Sequence, residues 1–599
     1  MLSSDLRRAL LRALLAVCAI GCTRKVDPER LAAASANTRY GVFQDRMSGI
    51  DPLDIGAAAA AVGINVFETL YQYHYLRRPY VLVPMLARAL PEISDGGLTY
   101  VIRLRDDVVF ADDPAFPGGK GRPLVAADFV FALKRLADAQ NASPHWALIN
   151  GRIAGLDAWH AASMAPDFDF DAPVEGLIAV DAHTLRFQLV KPWPQLPHVL
   201  AMLPTAPVAR EVVQHYGDAA RLHPVGTGPY RLASWKQDVD ITLTRNPTWR
   251  GEPYPSEGEP GDREKGLLAD AGRPMPFIDA LHFDFVQAGQ PSWLLFLDGA
   301  LDYHGTPGQN FDQIVGPDRH LTPQMTQQGI ELYLFESSFS RFVGLNMADP
   351  LIAGNKPLRR AISHALDRRE FNEVFLSGRN DQPVGLIPPA LRGAGQPKPH
   401  PNITSDLEAA KRALAEAVAQ NGGPLPRLKM IYGGQGGVQR QVGQLLVRNF
   451  AAAGLDVTIE YVDEGVAYRR VAAERKAQLI FGMGHHAAYP DAIDLFKRFY
   501  GPNIETEVNV FSYRNPAFDA LYEQAAVLPD TPARAALYQR MEAMLLDDLP
   551  AIPYTEYNHF FVIHDWLDNC KPHAFYGPSG MAKYQRLDIA RRVAALRAR

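Results

Sequence analysis

The chain has 599 residues, 47% hydrophobic and 21% charged, with a formal net charge of −5. That length exceeds the roughly 250–300 residues at which a single core stops growing, so the chain divides into lobes. The composition excludes intrinsic disorder and a polytopic membrane protein, and the acidic balance excludes nucleic acid as the expected partner. The N-terminus carries Arg7, Arg8 and Arg12, then a short apolar run from Ala13 to Gly21, then Cys22-Thr-Arg-Lys. The run is too short to cross a bilayer, which takes a helix of roughly 20 residues, but it fits the apolar region of a signal peptide spanning 1–21. Its removal, with three Arg and one Asp, takes the charge to −7.

After a polar, alanine-rich linker over 22–37, Thr38-Arg-Tyr-Gly-Val-Phe43 reads as a first strand and Gly49-Ile-Asp-Pro52 as a turn out of it. From Val62 to Leu70, Ile64, Phe67 and Leu70 stand at helical spacing, with Glu68 expected outward. Between Leu98 and Phe110, Tyr100, Ile102 and Leu104 alternate with Arg103 and Arg105, the pattern of a half-buried strand. A helix then starts near Pro123 with Phe129, Leu133 and Leu136 on one face. Gly118-Gly-Lys120 lacks the spacing and the Ser/Thr of a phosphate loop. A second alternating strand, Ala179 to Leu189, is expected to lead back into the first lobe, just before Gly226-Thr-Gly-Pro-Tyr230. There, two glycines around a threonine let the backbone turn sharply into a strand.

Farther on, Trp293 to Asp302 reads as a helix closing on Asp298-Gly-Ala-Leu-Asp302, Arg341 to Asn346 as a strand, and Pro357 to Arg368 as a helix. Ser405-Asp-Leu-Glu408 has the form of a capping box for a helix over 406–420. The order strand (426–432), helix (438–452), strand (454–461) is the unit of a parallel sheet, so this lobe is α/β. Helices over 518–526 and 533–547 precede a last strand, Tyr557 to His564, expected in the first lobe.

Taken in order, these motifs resemble those of the family 5 extracellular solute-binding proteins, the peptide- and nickel-binding receptors of bacterial ABC importers. The resemblance rests on Gly226-Thr-Gly-Pro-Tyr230, Val83-Pro-Met-Leu-Ala87, the strand at 98–110 with its following helix, Val180-Asp-Ala-His-Thr-Leu185, Asp298–Asp302, Pro357–Arg368 and Leu549-Pro-Ala-Ile-Pro-Tyr554. It covers essentially the whole mature chain. It implies a periplasmic-binding-protein-like α/β fold of class II, cluster C type: two lobes joined by a hinge plus an extra small α/β domain. The expected division is lobe I at 38–60, 177–287 and 551–599, extra domain II at 61–176, and lobe III at 288–550. Ala19-Ile-Gly-Cys22 is similar to a lipobox, which would make Cys22 a lipidated first residue and the protein a monomer of the periplasm or cell envelope, held to the membrane only by that anchor. With Cys22 acylated, Cys570 has no partner for an internal disulfide. The implied partners are an ABC permease with its ATPase subunits and a small solute, without a cofactor.

In this family, ligand contact centres on a Gly-Trp-x-Ala-Asp-Tyr-Pro-Asp-Pro stretch, which here is Gly484-His-His-Ala-Ala-Tyr-Pro-Asp-Ala492. The family's first aspartate pairs with the α-ammonium of a peptide, and at that position this chain has Ala488. An ammonium ion buried there without a counter-charge would cost several kcal/mol, which puts free-amine peptides in doubt and leaves blocked peptides, sugars and metal chelates open. The resemblance makes His485, His486, Tyr489 and Asp491 ligand candidates, with His145 and Trp146 in a loop after the first long helix, and Tyr554 and Tyr557 near the return strand. Adjacent histidines on a strand point to opposite faces, so one metal ion cannot easily use both, and no metal site is assigned. His-Glu-x-x-His, Gly-x-Ser-x-Gly and phosphate-loop motifs are absent, so the chain reads as a binder rather than an enzyme.

Overall fold

The structure, a computed structural model, describes residues 28–287, 289–306, 308, 311–392, 398–463, 465, 474–506, 508–577 and 581–598. Cys22 and the stretch 1–21 expected to be a signal peptide lie outside the described residues.

Three larger sheets organise the chain. In the first, Thr38–Phe43 runs parallel to Ala280–Phe285, which is flanked by Asp240–Arg245 and then Tyr230–Lys236. Alternation puts Tyr230, Ile241, Leu243, Leu281 and Phe283 on one face, where they form a core with Val62, Val66 and Phe67. The helix supplying that face spans Ala57–Val66 and ends before Phe67, earlier than the apolar spacing predicts. Glu68, expected outward, is 1% exposed. Its carboxylate pairs with Arg250 at 2.7 Å and accepts from Trp249 Nε1 and Thr227 Oγ1 at 3.2 and 3.0 Å. A buried carboxylate is tolerated here because three donors converge on it. The glycines around Thr227 serve close approach rather than a turn: a Cβ on Gly226 or Gly228 would stand 2.1 or 2.6 Å from the Val66 carbonyl oxygen.

The second sheet has the order Glu92–Ser94, Thr99–Arg103, Thr184–Gln188, Leu177–Asp181, with the helix Ala126–Ala137 packed nearby. The strand pair at 177–188 therefore belongs with the strand at 99–103 and not with the first lobe, correcting the expected boundary at 177. Alternation along the segment marks a strand, but alternation is blind to which sheet a strand joins.

The third sheet has the order Tyr303–Gly305, Ala551–His564, Ile330–Leu345, Leu479–His486, Leu428–Gly433, Val457–Val462. Its last two strands are parallel, with the helix Gly437–Ala453 between them in the chain. Two of the strands are long enough to serve both lobes. Ile330–Glu336 pairs with Asn558–His564, and after a bulge Ser340–Gly344 pairs with Ala551–Glu556. Phe561 and Ile563 join the core of the first sheet, and Phe560 and Val562 pack with Trp293 and Phe296. Ala551, Ile552 and Tyr554 instead join the core with Phe342 and Leu479. The boundaries expected at 288 and 551 thus fall elsewhere: residues from 289 to about 336 pack with the first lobe, as Tyr557 to His564 were expected to, while 551–556 stay with the third. Asp302 fixes that arrangement by accepting from Tyr40 N and Trp566 Nε1, both at 2.7 Å, and pairing with Arg592 at 3.2 Å.

The capping box at Ser405 does not form. Asp406 is the N-cap of Leu407–Asn421, accepting from Ala409 N at 2.9 Å, while Ser405 Oγ donates to Leu366 O and accepts from Arg368 N. Among the described residues, no helix is long and apolar enough to cross a membrane.

Candidate functional site

The strand Leu479–His486 lies beside Ile330–Leu345, with Ser340 opposite His485 and Phe339 opposite His486. It carries Gly484 to Asp491 to the place where the long strands pass between lobes. Gly484 is required by contact, since a Cβ there would stand 2.4 Å from the Phe339 ring. The two histidines diverge, as period-two geometry demands. His485 turns inward, 7% exposed, with Nε2 3.0 Å from Asp494 Oδ2. Burial holds its pKa below the usual imidazole range despite that carboxylate. His486 is exposed, with Nε2 3.2 Å from Ser338 Oγ. Beside it, exposed His559 has Nε2 2.9 Å from Ser337 Oγ.

Asp494 supplies the carboxylate next to Ala488. It accepts from Ala488 N at 3.0 Å and pairs with Lys497. Burial alone would raise its pKa, but His485, Lys497 and the Ala488 amide outweigh burial and hold the carboxyl well below its usual range. Its charge is thus already countered from inside the lobe. Asp491 is similarly engaged: it pairs with Arg534 at 3.1 Å, accepts from Tyr538 Oη, and receives Ile493 N at 3.0 Å.

Across the junction, Gln195 Nε2 donates to Asp491 Oδ2 at 3.3 Å. Three residues on, His198 lies between two tyrosines, with ring centroids 6.0 Å from Tyr489 and 5.9 Å from Tyr73 and small interplanar angles to both. Its Nδ1 is 3.1 Å from Tyr73 Oη. Burial keeps the His198 pKa low, so the layer is a stack of neutral rings between segments more than 100 residues apart in sequence.

The other expected candidates are distributed differently. Tyr557 is half-buried and meets the Phe339 ring edge-on at 5.8 Å, beside the guanidinium of Arg341. Tyr554 is 3% exposed, stacked on Phe481 at 4.8 Å and edge-on to Phe371 at 5.3 Å, and its hydroxyl interacts electrostatically with Arg341. Trp146 stacks on His160 at 4.4 Å within its own domain, and the His145 loop docks onto the backbone at Leu53 through Ser143 Oγ. The structure therefore groups His486, Tyr489, Asp491 and Tyr557 near the junction, leaves His145 and Trp146 in packing positions, and buries Tyr554 with its hydroxyl near Arg341. Gln195, His198, Arg341 and Asp494 were missed, because none stands in a recurring motif. Among the described residues, no cluster of three or more His, Cys, Asp or Glu could hold a metal ion.

Residues 81–507 match the family described as bacterial extracellular solute-binding proteins, family 5 Middle. The chain is 24% identical over 484 residues to the oligopeptide-binding protein OppA of Bacillus subtilis, covering 79% of each protein. It is 23% identical over 514 residues to the glutathione-binding protein GsiB of Escherichia coli, covering 84% of this chain and 86% of that one. In fold it is similar to HbpA2 of Haemophilus parasuis, with a TM-score of 0.72 and 20% identity over 92% of this chain and 100% of that one. A peptide complex of DppA from Helicobacter pylori gives a TM-score of 0.66 at 20% identity, covering 93% of this chain and 100% of the other. The fold is thus shared along nearly the whole chain with these solved structures. The chain belongs to the family 5 bacterial extracellular solute-binding proteins and is a transport receptor, not an enzyme.

Proposed function

We propose that this protein is the solute-capturing component of an ABC importer, taking a peptide or peptide-like solute between its lobes and delivering it to a membrane permease whose ATPases are separate chains. The observation that carries the reading is the pair of contacts across the junction, Gln195 to Asp491 and His198 to Tyr489. Contacts of that kind, made by elements on opposite sides of the crossing strands, suit lobes that close over a solute by hinge motion. Relatives that bind oligopeptides, peptide STSA and glutathione support peptides as the solute class. His486, Tyr489 and Tyr557 would line the cleft, and Asp491 would hold its wall. The protein acts as a monomer in the periplasm, anchored through a lipid on Cys22.

Ala488 favours peptides without a free α-ammonium. Asp494, the carboxylate beside it, is neutralised by Lys497, and Asp491 by Arg534. Thermal-shift titration of the mature protein with matched peptides, free at the N-terminus or acetylated, tests this. The acetylated forms are expected to stabilise the protein more. Equal or greater stabilisation by the free amines would show that another acid takes the ammonium, and stabilisation by neither would refute peptide capture.

A further inference from the structure

His198 is stacked between Tyr73 on its own side of the junction and Tyr489 on the other, and both tyrosines are buried, 3% and 8% exposed. The imidazole therefore has an aromatic face on either side. Its Nδ1 lies 3.1 Å from Tyr73 Oη, a contact indifferent to protonation, since a hydroxyl can donate to a neutral ring nitrogen or accept from a protonated one. The stack is not indifferent, because one added proton turns its middle ring into a cation.

That cation would find no free counter-charge. Two acids act on His198, Asp491 and Asp530. Asp491 is already engaged by Arg534 at 3.1 Å, by Tyr538 Oη and by Ile493 N, while the Asp530 side chain is 92% exposed, where water screens it. Asp494, which acts on Tyr489, is paired with His485 and Lys497. Arg534 opposes a charge on His198, and Arg152, seated over the Trp193 ring at 5.2 Å, brings a further positive group to Tyr489. The tyrosine faces return little: at centroid separations of 5.9 and 6.0 Å they stand at the outer limit of cation–ring attraction, about 6 Å. Burial is the largest influence on the ring and disfavours its charged form. His485 and His573 are buried too, but each packs within one side, His485 against Asp494 and His573 against Tyr73, Tyr80 and Tyr576.

We propose that His198 is an acid-released catch of the lobe junction: neutral, it lets Tyr73 and Tyr489 close on it, and protonated, it parts them to regain water. The lobes then hold a solute near neutral pH and release it as the medium turns acidic. The inference rests on the hinge closure read above and adds a proton as a ligand of the open form. Because the open junction binds that proton more tightly than the closed one, closure is complete above the usual imidazole value of about 6.5 and weakens as pH falls through it.

The test uses the full mature chain without solute, as wild type, His198→Phe and His198→Gln, with small-angle scattering at pH 7.5 and 5.5. Wild type is expected to be compact at the higher pH and to open reversibly at the lower, its open fraction rising by about threefold or more. His198→Phe keeps a ring in the stack but cannot take the proton, and is expected to stay compact at both. His198→Gln loses the ring and is expected to be equally open at both. Circular dichroism is expected to be the same at the two pH values, and an expansion that came with lost ellipticity would overturn the catch, since the proton would then be unfolding the chain. Wild type that stays compact at both values, or His198→Phe that opens with acid as wild type does, would also overturn it, and the second result would pass the proton to His485 or His573. No solute is present, so each of these failures leaves solute capture standing, and capture itself fails only on the peptide titration.

Discussion

Replacing Asp491 by asparagine separates a wall residue from a ligand residue, because the substitution keeps the shape and removes the charge. In the wild type, Asp491 and Arg534 have side-chain exposures of 1% and 6% and stand 3.1 Å apart. Removing one member of such a pair leaves an uncompensated buried charge, at a cost of about 3–5 kcal/mol. Arg534 keeps one other acid, Asp530 at 3.3 Å, but that carboxylate is 92% exposed and is worth less than ~1 kcal/mol. The asparagine carbonyl can still accept from Tyr538 or Gln195. The net loss is therefore near the lower end, about 3 kcal/mol, or roughly a hundredfold in the opening equilibrium of the region. Hydrogen exchange reads this directly: amides of the helices Ile493–Phe496 and Pro532–Asp548 are expected to lose about two decades of protection. Solute affinity is expected to fall much less than protection. If protection is unchanged and affinity drops more than tenfold, Asp491 is the group that meets the solute and its assignment to the wall is wrong.

Three further outcomes follow from the same geometry. Gly228→Ala places a methyl 2.6 Å from the Val66 carbonyl oxygen and is expected to destabilise the first lobe by about 1–3 kcal/mol, seen as a lower melting temperature; an unchanged melt would mean the helix end yields freely. His198→Ala removes the ring between Tyr73 and Tyr489, with each aromatic pair worth roughly 0.5–1.5 kcal/mol, so small-angle scattering of the solute-free variant should show a more open molecule and solute should bind several-fold more weakly. Compact scattering identical to wild type would assign the stack no part in closure. Acidification should weaken the fold in two windows. Burial holds the pKa values of His485 and His573 below the imidazole range, so the unfolded chain binds the extra protons and stability falls as pH drops below about 6.5. The Asp494 carboxyl is depressed despite its burial, so its contribution is present above about 3.9 and is lost as pH falls through its lower folded value. Urea midpoints at pH 7, 5 and 3 check both steps, and a midpoint that rises between pH 7 and 5 would contradict the sign.

What the sequence shows, and what it hides, divides along physical lines. Strand alternation at Tyr100, Ile102 and Leu104, and the strand, helix, strand order at 428–462, were legible because burial of one face imposes a local period. The divergence of His485 and His486 was legible for the same reason. Partnership between sheets was not: Thr184–Gln188 alternates equally well in either neighbouring sheet, and Ala551–His564 shows nothing in its own residues of the bulge that lets its two halves serve different cores. A lone acid in an apolar run normally faces outward, and the distant donors Thr227, Trp249 and Arg250 reverse that expectation for Glu68.

The same distinction decides how far the junction itself could be read. Gly484 to Asp491 is a contiguous stretch, so a resemblance could find it, and Ala488 could be recognised there as a missing charge. The other residues near the junction come from separate elements. Gln195 and His198 sit on one side of the junction, and Arg341 in the strand Ile330–Leu345. Each alone reads as an ordinary polar residue, and none has a local reason to be where it is. What brings them to the junction is relational: sheet pairing sets Arg341 opposite Gly484 and Gln195 reaches Asp491, contacts that no window of sequence contains.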